Sequence, residues 1–298
     1  MTSSVGYTSL RAQLRVRLNH RETILGWFRI LRYVLVQGPW RLWLIRYYAA
    51  KNSNPPLPAR ADTLFGGFDV GAAAAELDRE AFTHRAEVPE RVVADVAEWT
   101  RAVGANRIDD PHVDCEGVSR IAHDPRVIEV ARRFLGAEPI LFSSKIYWTT
   151  PRPDGRGGMG GAAEHGQFHY DLADVKALTL FIYLSDVDEQ SGPHVVVRGS
   201  QRRVTLAQIL RRTVSEEFVR RKFPGRVEMI TGRRGTSWFE DITCYHKQAT
   251  GTKVRLMLSI IYSLHRRPLE DLEMRPASGS DSRPADRLRL AESGTVGA

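Results

Sequence analysis

Between residues 139 and 264 the chain breaks repeatedly into short β-forming runs. They are "PILFSSKIYWTT" (139–150), "ALTLFIYLSDV" (177–187), "HVVVRG" (194–199), "TSWFE" (236–240) and "VRLMLSIIYSL" (254–264). Each is rich in β-branched and aromatic residues and bounded by Gly, Pro, Asp or Ser, the pattern of strands joined by turns rather than by crossover helices. Strands this short and this numerous must pack sheet on sheet to bury their apolar faces. The fold class expected is therefore α+β, with an antiparallel sandwich or jelly roll at its centre and helices ahead of it.

The helical signals lie mostly before residue 139. Val92, Val96 and Trp99 share one face of a predicted helix over 89–99. Asp124-Pro125 is an N-cap with proline in the first helical position, and "RVIEVARRFL" runs from it to a stop at Gly136. One further helix is expected among the strands, over 205–223, "TLAQILRRTVSEEFVRRKF". Residues 266–298 are polar, rich in Ser, Pro and Arg and without periodicity, as expected of a disordered tail.

Charge divides the chain. Residues 1–60 hold ten Lys/Arg and one acid, Glu22, whereas the remaining 33 Lys/Arg and 34 Asp/Glu nearly cancel. The net charge of +8 is thus a property of the extension. Within it, Ile24, Trp27, Phe28, Leu31, Val34 and Leu35 recur at helical spacing, with Arg21, Arg29 and Arg32 on another side. Gly38-Pro39 breaks the pattern, a second short helix with Trp40, Trp43, Leu44 and Tyr47 follows, and "NSNPPLPAR" (52–60) reads as a linker. No stretch reaches the ~20 uncharged residues of a membrane span. Residues 21–48 instead have the profile of helices lying in a membrane interface, the alternative being packing on the main domain or a dimer contact. The neutral main domain speaks against nucleic acid as a partner. Two cysteines and no signal peptide fit a cytoplasmic protein, one that could sit peripherally on the membrane's inner face.

Chemistry enters with "FHYDLADV", where His169 and Asp171 stand two apart at the head of a strand-like run. Side chains at i and i+2 of a strand share a face about 6.5–7 Å apart, close enough to converge on one ion. The spacing alone is weak, because nine histidines and 35 acids in 298 residues give about one such pair by chance. Three occur. His20/Glu22 lies in the basic extension, and His112/Asp114 in the turn-rich "DDPHVDCEG"; both read as solvated surface pairs. Context favours the third pair. Seventy-five residues beyond Asp171, "WFEDITCYHKQATGTKVRLML" supplies His246, and nine further on Arg255 interrupts an apolar strand on the face of Met257 and Ser259. Burying that guanidinium calls for an anion, either a protein carboxylate or a ligand. Two histidines and one carboxylate leave open positions on a metal, the arrangement of non-heme Fe(II) oxygenases. An arginine fork beside them suits the far carboxylate of 2-oxoglutarate.

The combination "FHYD…LTLFIYLSDVDEQSGPHVVVRGSQ" with "FEDITCYHK…KVRLML" resembles the phytanoyl-CoA dioxygenase-like family of Fe(II)/2-oxoglutarate oxygenases, over about residues 62–265. The resemblance implies a double-stranded β-helix core, flanked by helices, with iron held by His169, Asp171 and His246. It implies 2-oxoglutarate gripped by Arg255, with Thr179 and Lys145 as further candidates on neighbouring strands, and O2 as second co-substrate. An aspartate at 171 speaks against the related halogenases. Gln201 departs from the histidine many members carry after their Gly-Ser, a position that is not a ligand. The expected organisation is an extension with linker (1–61), a dioxygenase domain (62–265) and a tail (266–298). The expected activity is hydroxylation of a small-molecule, lipid or glycan-related substrate, releasing succinate and CO2. The contrasting expectation is a catalytically silent barrel serving as a tethered binding module.

Other donors compete. His165 would sit roughly 13 Å from His169 along a continued strand, too far to share an ion. Cys244 reads as a buried hydrophobe and His194 as a turn or supporting residue. Glu240-Asp241 either orients His246 or forms a solvated turn. The glycine-rich 151–167 lacks the ending of a phosphate loop and reads as a flexible connection or a lid.

Overall fold

Local chemistry fixes the helices. In the structure, a computed structural model, residues 40–83, 86–149, 167–171, 173–202 and 213–264 are described, together with Gly38 and Thr205. The first helices are α1 (Arg41–Ala50), α2 (Val70–Glu80), α3 (Glu90–Val103), α4 (Glu116–Ala122) and α5 (Pro125–Leu135). Asp124 caps α5 as its sequence predicts, accepting from Arg126 N–H at 2.9 Å and Val127 N–H at 3.3 Å, and Gly136 closes it at a left-handed φ of 75°. The same carboxylate accepts from Leu64 N–H at 2.6 Å, so one cap also ties down the segment ahead of α2. α3 buries Val92, Val93, Val96 and Ala97, while Trp99 packs at the margin of the core.

Among the described residues, eleven strands follow the turn signals, in two antiparallel sheets. They are β1 (Ala86–Glu87), β2 (Arg107–Asp109), β3 (Ile140–Thr149), β4 (Phe168–His169), β5 (Ala177–Tyr183), β6 (His194–Val197), β7 (Thr213–Val214), β8 (Val227–Ile230), β9 (Thr236–Glu240), β10 (His246–Gln248) and β11 (Arg255–Ser263). The larger sheet runs β1-β9-β5-β11-β3-β2 and the smaller β7-β4-β10-β6-β8. The chain changes sheet between β3, β4, β5 and β6, continues to β8 in the smaller sheet, then changes again through β9, β10 and β11. That winding is a double-stranded β-helix, so the α+β expectation holds. β8 and β10 are strands without a counterpart among the predicted runs; β10 is three residues long and pairs on both sides.

One element differs from expectation. Among the described residues, the predicted helix over 205–223 contains β7 at Thr213–Val214 and is helical at α6 (Glu216–Lys222). The β-branched Thr-Val pair adds a strand to β4, and Ser215 starts the helix by accepting from Phe218 N–H at 3.0 Å. Residues 206–212 lie outside the described residues, as do the predicted helix over 21–35, His20/Glu22, His165, most of 151–167 and the tail. Residues 52–60 carry no helix or strand but are pinned to the domain: the Asn54 side chain donates to Glu138 O at 3.0 Å and Leu264 O at 2.9 Å.

The alternation of β5 and β11 decides what faces the barrel. Leu178, Leu180, Ile182, Leu256, Leu258 and Ile260 point to the helices and join their core. The intervening residues point inward, and the register stacks them in rows. Thr149 stands beside Arg255; Tyr147 beside Met257 and Tyr183; Lys145 beside Ser259, Phe181 and Trp238; Ser143 beside Ile261, Thr179 and Glu240. The aromatic middle of this face is buried.

Candidate metal centre

His169 ends β4 and His246 opens β10, and the two are direct register partners in the smaller sheet. Because both face the interior, their rings approach to 4.6 Å between centroids. His169 Nδ1 lies 2.9 Å from Gln167 O, and His246 Nδ1 lies 3.1 Å from Cys244 O. Each Nδ1 therefore carries the proton, and each Nε2 is left as the lone-pair donor. Both Nε2 atoms point at Asp171 Oδ2, at 3.9 Å from His169 and 3.4 Å from His246. The Asp171 backbone is fixed separately, by its N–H to Ile242 O at 2.8 Å. The three donor atoms lie within 4.8 Å of one another, a spacing that can hold a metal ion. His169 and His246 are buried, whereas the Asp171 side chain is 39 % exposed, so this set opens toward solvent on the carboxylate side.

Glu240, Cys244 and His246 form a second group of suitable spacing, fully buried. Its donors are turned to one another, with Cys244 Sγ 3.6 Å from Glu240 Oε1. Burial, reinforced by the neighbouring Glu240 carboxylate, pushes the Cys244 thiol well above its ordinary value. Glu240 is already engaged, accepting from Trp238 Nε1 at 3.0 Å and lying 2.8 Å from His194 Nε2 and 3.6 Å from His246 Nδ1. The His194 contact is close but off the N–H line of a hydrogen bond. Burial holds His194 below its usual value despite that carboxylate. Burial would raise Glu240, but the surrounding imidazoles and the Trp238 hydrogen bond hold it low. The arrangement sets a glutamate whose carboxyl is held low behind His246. Burial would also lower His246, but Asp171 and Glu240 outweigh it and raise the ring above its ordinary value.

Arg255 opens β11 and is 1 % exposed. Its Nη1 donates to Gly192 O at 2.7 Å, its Nη2 reaches Thr149 Oγ1 at 3.4 Å, and its Nε–H has no acceptor among the described residues. Gly192 is required there: it takes a φ of 64°, and a β-carbon would lie 3.0 Å from Ala249 O. Among the described residues no carboxylate pairs with Arg255, which leaves the alternative of a ligand anion. Tyr147 occupies the interior row next to that of Arg255. Burial pushes its hydroxyl up to about 12, with Arg255 pulling the other way and Asp171 and Glu240 reinforcing the rise.

The two further co-substrate candidates stand in other rows of the interior face than Arg255. Lys145 lies two interior rows away, about 13 Å along the strand, and Thr179 three rows away, about 20 Å, beside Glu240. Thr149 and Tyr147 occupy the places next to the guanidinium. Their alternation with Lys145 along β3 was visible in the sequence, but which end of β3 meets Arg255 is a matter of register. Cys244 is buried as expected. His194 begins a strand rather than a turn. His112 is no solvated partner of Asp114: its Nδ1 lies 2.7 Å from Ser144 Oγ and 4.0 Å from Asp110 Oδ1, and burial lowers its pKa.

No protein-family model matches the chain. No curated protein matches it. Among solved structures it is similar to the non-heme alpha ketoglutarate dependent epimerase SnoN from nogalamycin biosynthesis, at 18 % identity and a TM-score of 0.49 over 71 % of this chain and 91 % of that one. It is similar to EctD from S. alaskensis with bound Fe, at 19 % identity and a TM-score of 0.48 over 69 % and 82 %. AviO1 from Streptomyces viridochromogenes Tue57 matches at 14 % identity and a TM-score of 0.47 over 66 % and 96 %. Likeness this distant assigns no activity. The chemistry has to be read from the side chains of the site.

Proposed function

We propose that the chain is an Fe(II)/2-oxoglutarate-dependent dioxygenase that hydroxylates a small-molecule, lipid or glycan-related substrate with release of succinate and CO2. The observation that carries this reading is the pairing of a two-histidine, one-carboxylate set with a buried arginine that meets no carboxylate among the described residues. The donor set fits Fe(II): two neutral imidazoles and one carboxylate on one side of an ion leave the other side open. The arginine fits the distal carboxylate of 2-oxoglutarate, which would supply the anion its Nε–H and Nη groups lack.

Bound iron with 2-oxoglutarate supplies the O2-dependent oxidation; the chain supplies placement and dryness. His169 and His246 present lone pairs because Gln167 O and Cys244 O hold their Nδ1 protons. Asp171 contributes charge from the solvent side. Arg255, set by Gly192 O and Thr149, holds the co-substrate's far end, and the Phe181, Trp238 and Met257 side chains keep the interior apolar. Outside the barrel, α1 turns Trp40, Trp43, Arg46 and Tyr47 to solvent. With the basic composition of residues 1–60, that face supports peripheral association with an anionic membrane.

Calorimetric titration of 2-oxoglutarate into the anaerobic Fe(II)-loaded protein tests the reading, followed by assay for succinate on admitting O2. Binding and slow succinate release without added substrate are expected. Absence of both would sink the oxygenase assignment and leave a silent barrel.

A further inference from the structure

We infer that Arg41, which precedes the barrel, is a positioning residue for the metal centre; the inference rests on reading His169, Asp171 and His246 as metal ligands. The link is the loop between β9 and β10, residues 241–245. This loop supports two of the three ligands from behind: Ile242 O accepts from Asp171 N–H at 2.8 Å, and Cys244 O accepts from His246 Nδ1 at 3.1 Å. Its own shape depends on Asp241. One carboxylate oxygen of Asp241 accepts from Thr243 N–H at 3.0 Å and from the Thr243 hydroxyl at 2.6 Å, and its carbonyl accepts from Cys244 N–H at 2.9 Å.

Asp241 is buried, and a buried carboxylate needs a cation. Among the described residues that cation is Arg41. Its Nη2 donates to Thr243 Oγ1 at 3.0 Å and lies 3.6 Å from Asp241 Oδ2, with the side chain 13 % exposed. One guanidinium thus holds the hydroxyl and the carboxylate that shape the loop. Without it Asp241 would be left buried and unpaired, and the loop would relax toward water, carrying Ile242 O and Cys244 O with it. Ligand geometry tolerates displacements of only about 0.5 Å. α1 itself has other anchors, Tyr48 against the helical core and the Asn52 and Asn54 amides on Glu138 O, so substituting Arg41 removes the clamp without releasing the helix. The chain ahead of the barrel is then part of the metal site rather than a detachable tether.

Co(II) added to the metal-free full-length protein is the probe, read by its visible ligand-field absorption. Arg41→Met and Thr243→Val are each expected to lose about tenfold in Co(II) affinity, the lower end of what groups behind metal ligands typically cost. Both should alter the absorption envelope, and combining them should cost little more, because each breaks the same link. Leu42→Ala, on the exposed face of the same helix, should bind Co(II) as the wild type does. Wild-type affinity and spectrum in Arg41→Met, or losses that add in full in the double variant, would overturn the inference. Should Arg41→Met not fold, Arg41→Lys carries the same test: a lysine reaches one acceptor at a time, and an unchanged spectrum would again overturn it. A wild-type protein that binds no Co(II) refutes the metal reading, and this inference with it, before any variant is compared.

Discussion

His169 and His246, 77 positions apart in the chain, are partners at one register position of the smaller sheet, with ring centroids 4.6 Å apart. Asp171 completes the set by sharing β4's approach to the interior. Metal affinity should therefore fall sharply in His169→Ala, Asp171→Ala or His246→Ala. It should be unaffected in His112→Ala, whose ring sits on Ser144 outside the barrel interior. Fe(II) titration followed anaerobically checks this. Loss of binding in His112→Ala with retention in His169→Ala would move the metal to the other pair.

Arg255 gives a prediction with an unusual sign. Among the described residues the buried Arg255 guanidinium meets no carboxylate, and such a charge stabilises little, so Arg255→Met without co-substrate should melt as high as the wild type or higher. Metal binding should persist. The variant should lose the charge-assisted contact with 2-oxoglutarate, worth about 1.5–3 kcal/mol, or roughly 10- to 150-fold in dissociation constant. Added 2-oxoglutarate should then raise the melting midpoint of the wild type only. Equal stabilisation of both proteins would remove Arg255 from the binding site.

His112 predicts a pH dependence. Burial lowers its folded pKa below the 6.5 of an exposed histidine, so the unfolded chain binds the proton more readily. Stability is therefore fully present above about pH 6.5 and declines as pH falls below it. His112→Asn lacks this proton, so the stability difference between wild type and variant should shift in the variant's favour from pH 8 to pH 5. Denaturant melts at the two pH values measure it, and parallel curves would contradict it.

The α1 face predicts salt-sensitive vesicle binding. Full-length protein should float with anionic vesicles at low salt, because a basic residue near such a surface contributes about 1 kcal/mol. Trp43→Ser with Arg46→Ser should reduce flotation without changing metal affinity. Equal flotation of wild type and variant would dismiss the face as a membrane contact.

What the sequence determined by itself was local. Asp124, Pro125 and Gly136 bound α5 at the expected residues because a cap, a fixed φ and a left-handed stop act within one turn of chain. The β-rich runs became β3, β5, β6, β9 and β11 because branched side chains and flanking turn residues act over similar distances. His169-x-Asp171 was legible as two donors two positions apart, although β4 ends at His169 and Asp171 is placed by its own N–H to Ile242 O. Only the tertiary structure decided who stands opposite. β4 and β10 are two- and three-residue strands, too short for a period to show, and their register alone brings His246 to His169. Register likewise set Thr149 and Tyr147, not Lys145 or Thr179, beside Arg255. That the Glu240 carboxyl is held low behind His246, that Arg255 meets no carboxylate among the described residues, and that Arg41 stands 3.6 Å from Asp241 across 200 positions all depend on which charges the folded chain buries together. The energy of a buried charge is set by its neighbours in space, and no local pattern along the chain records them.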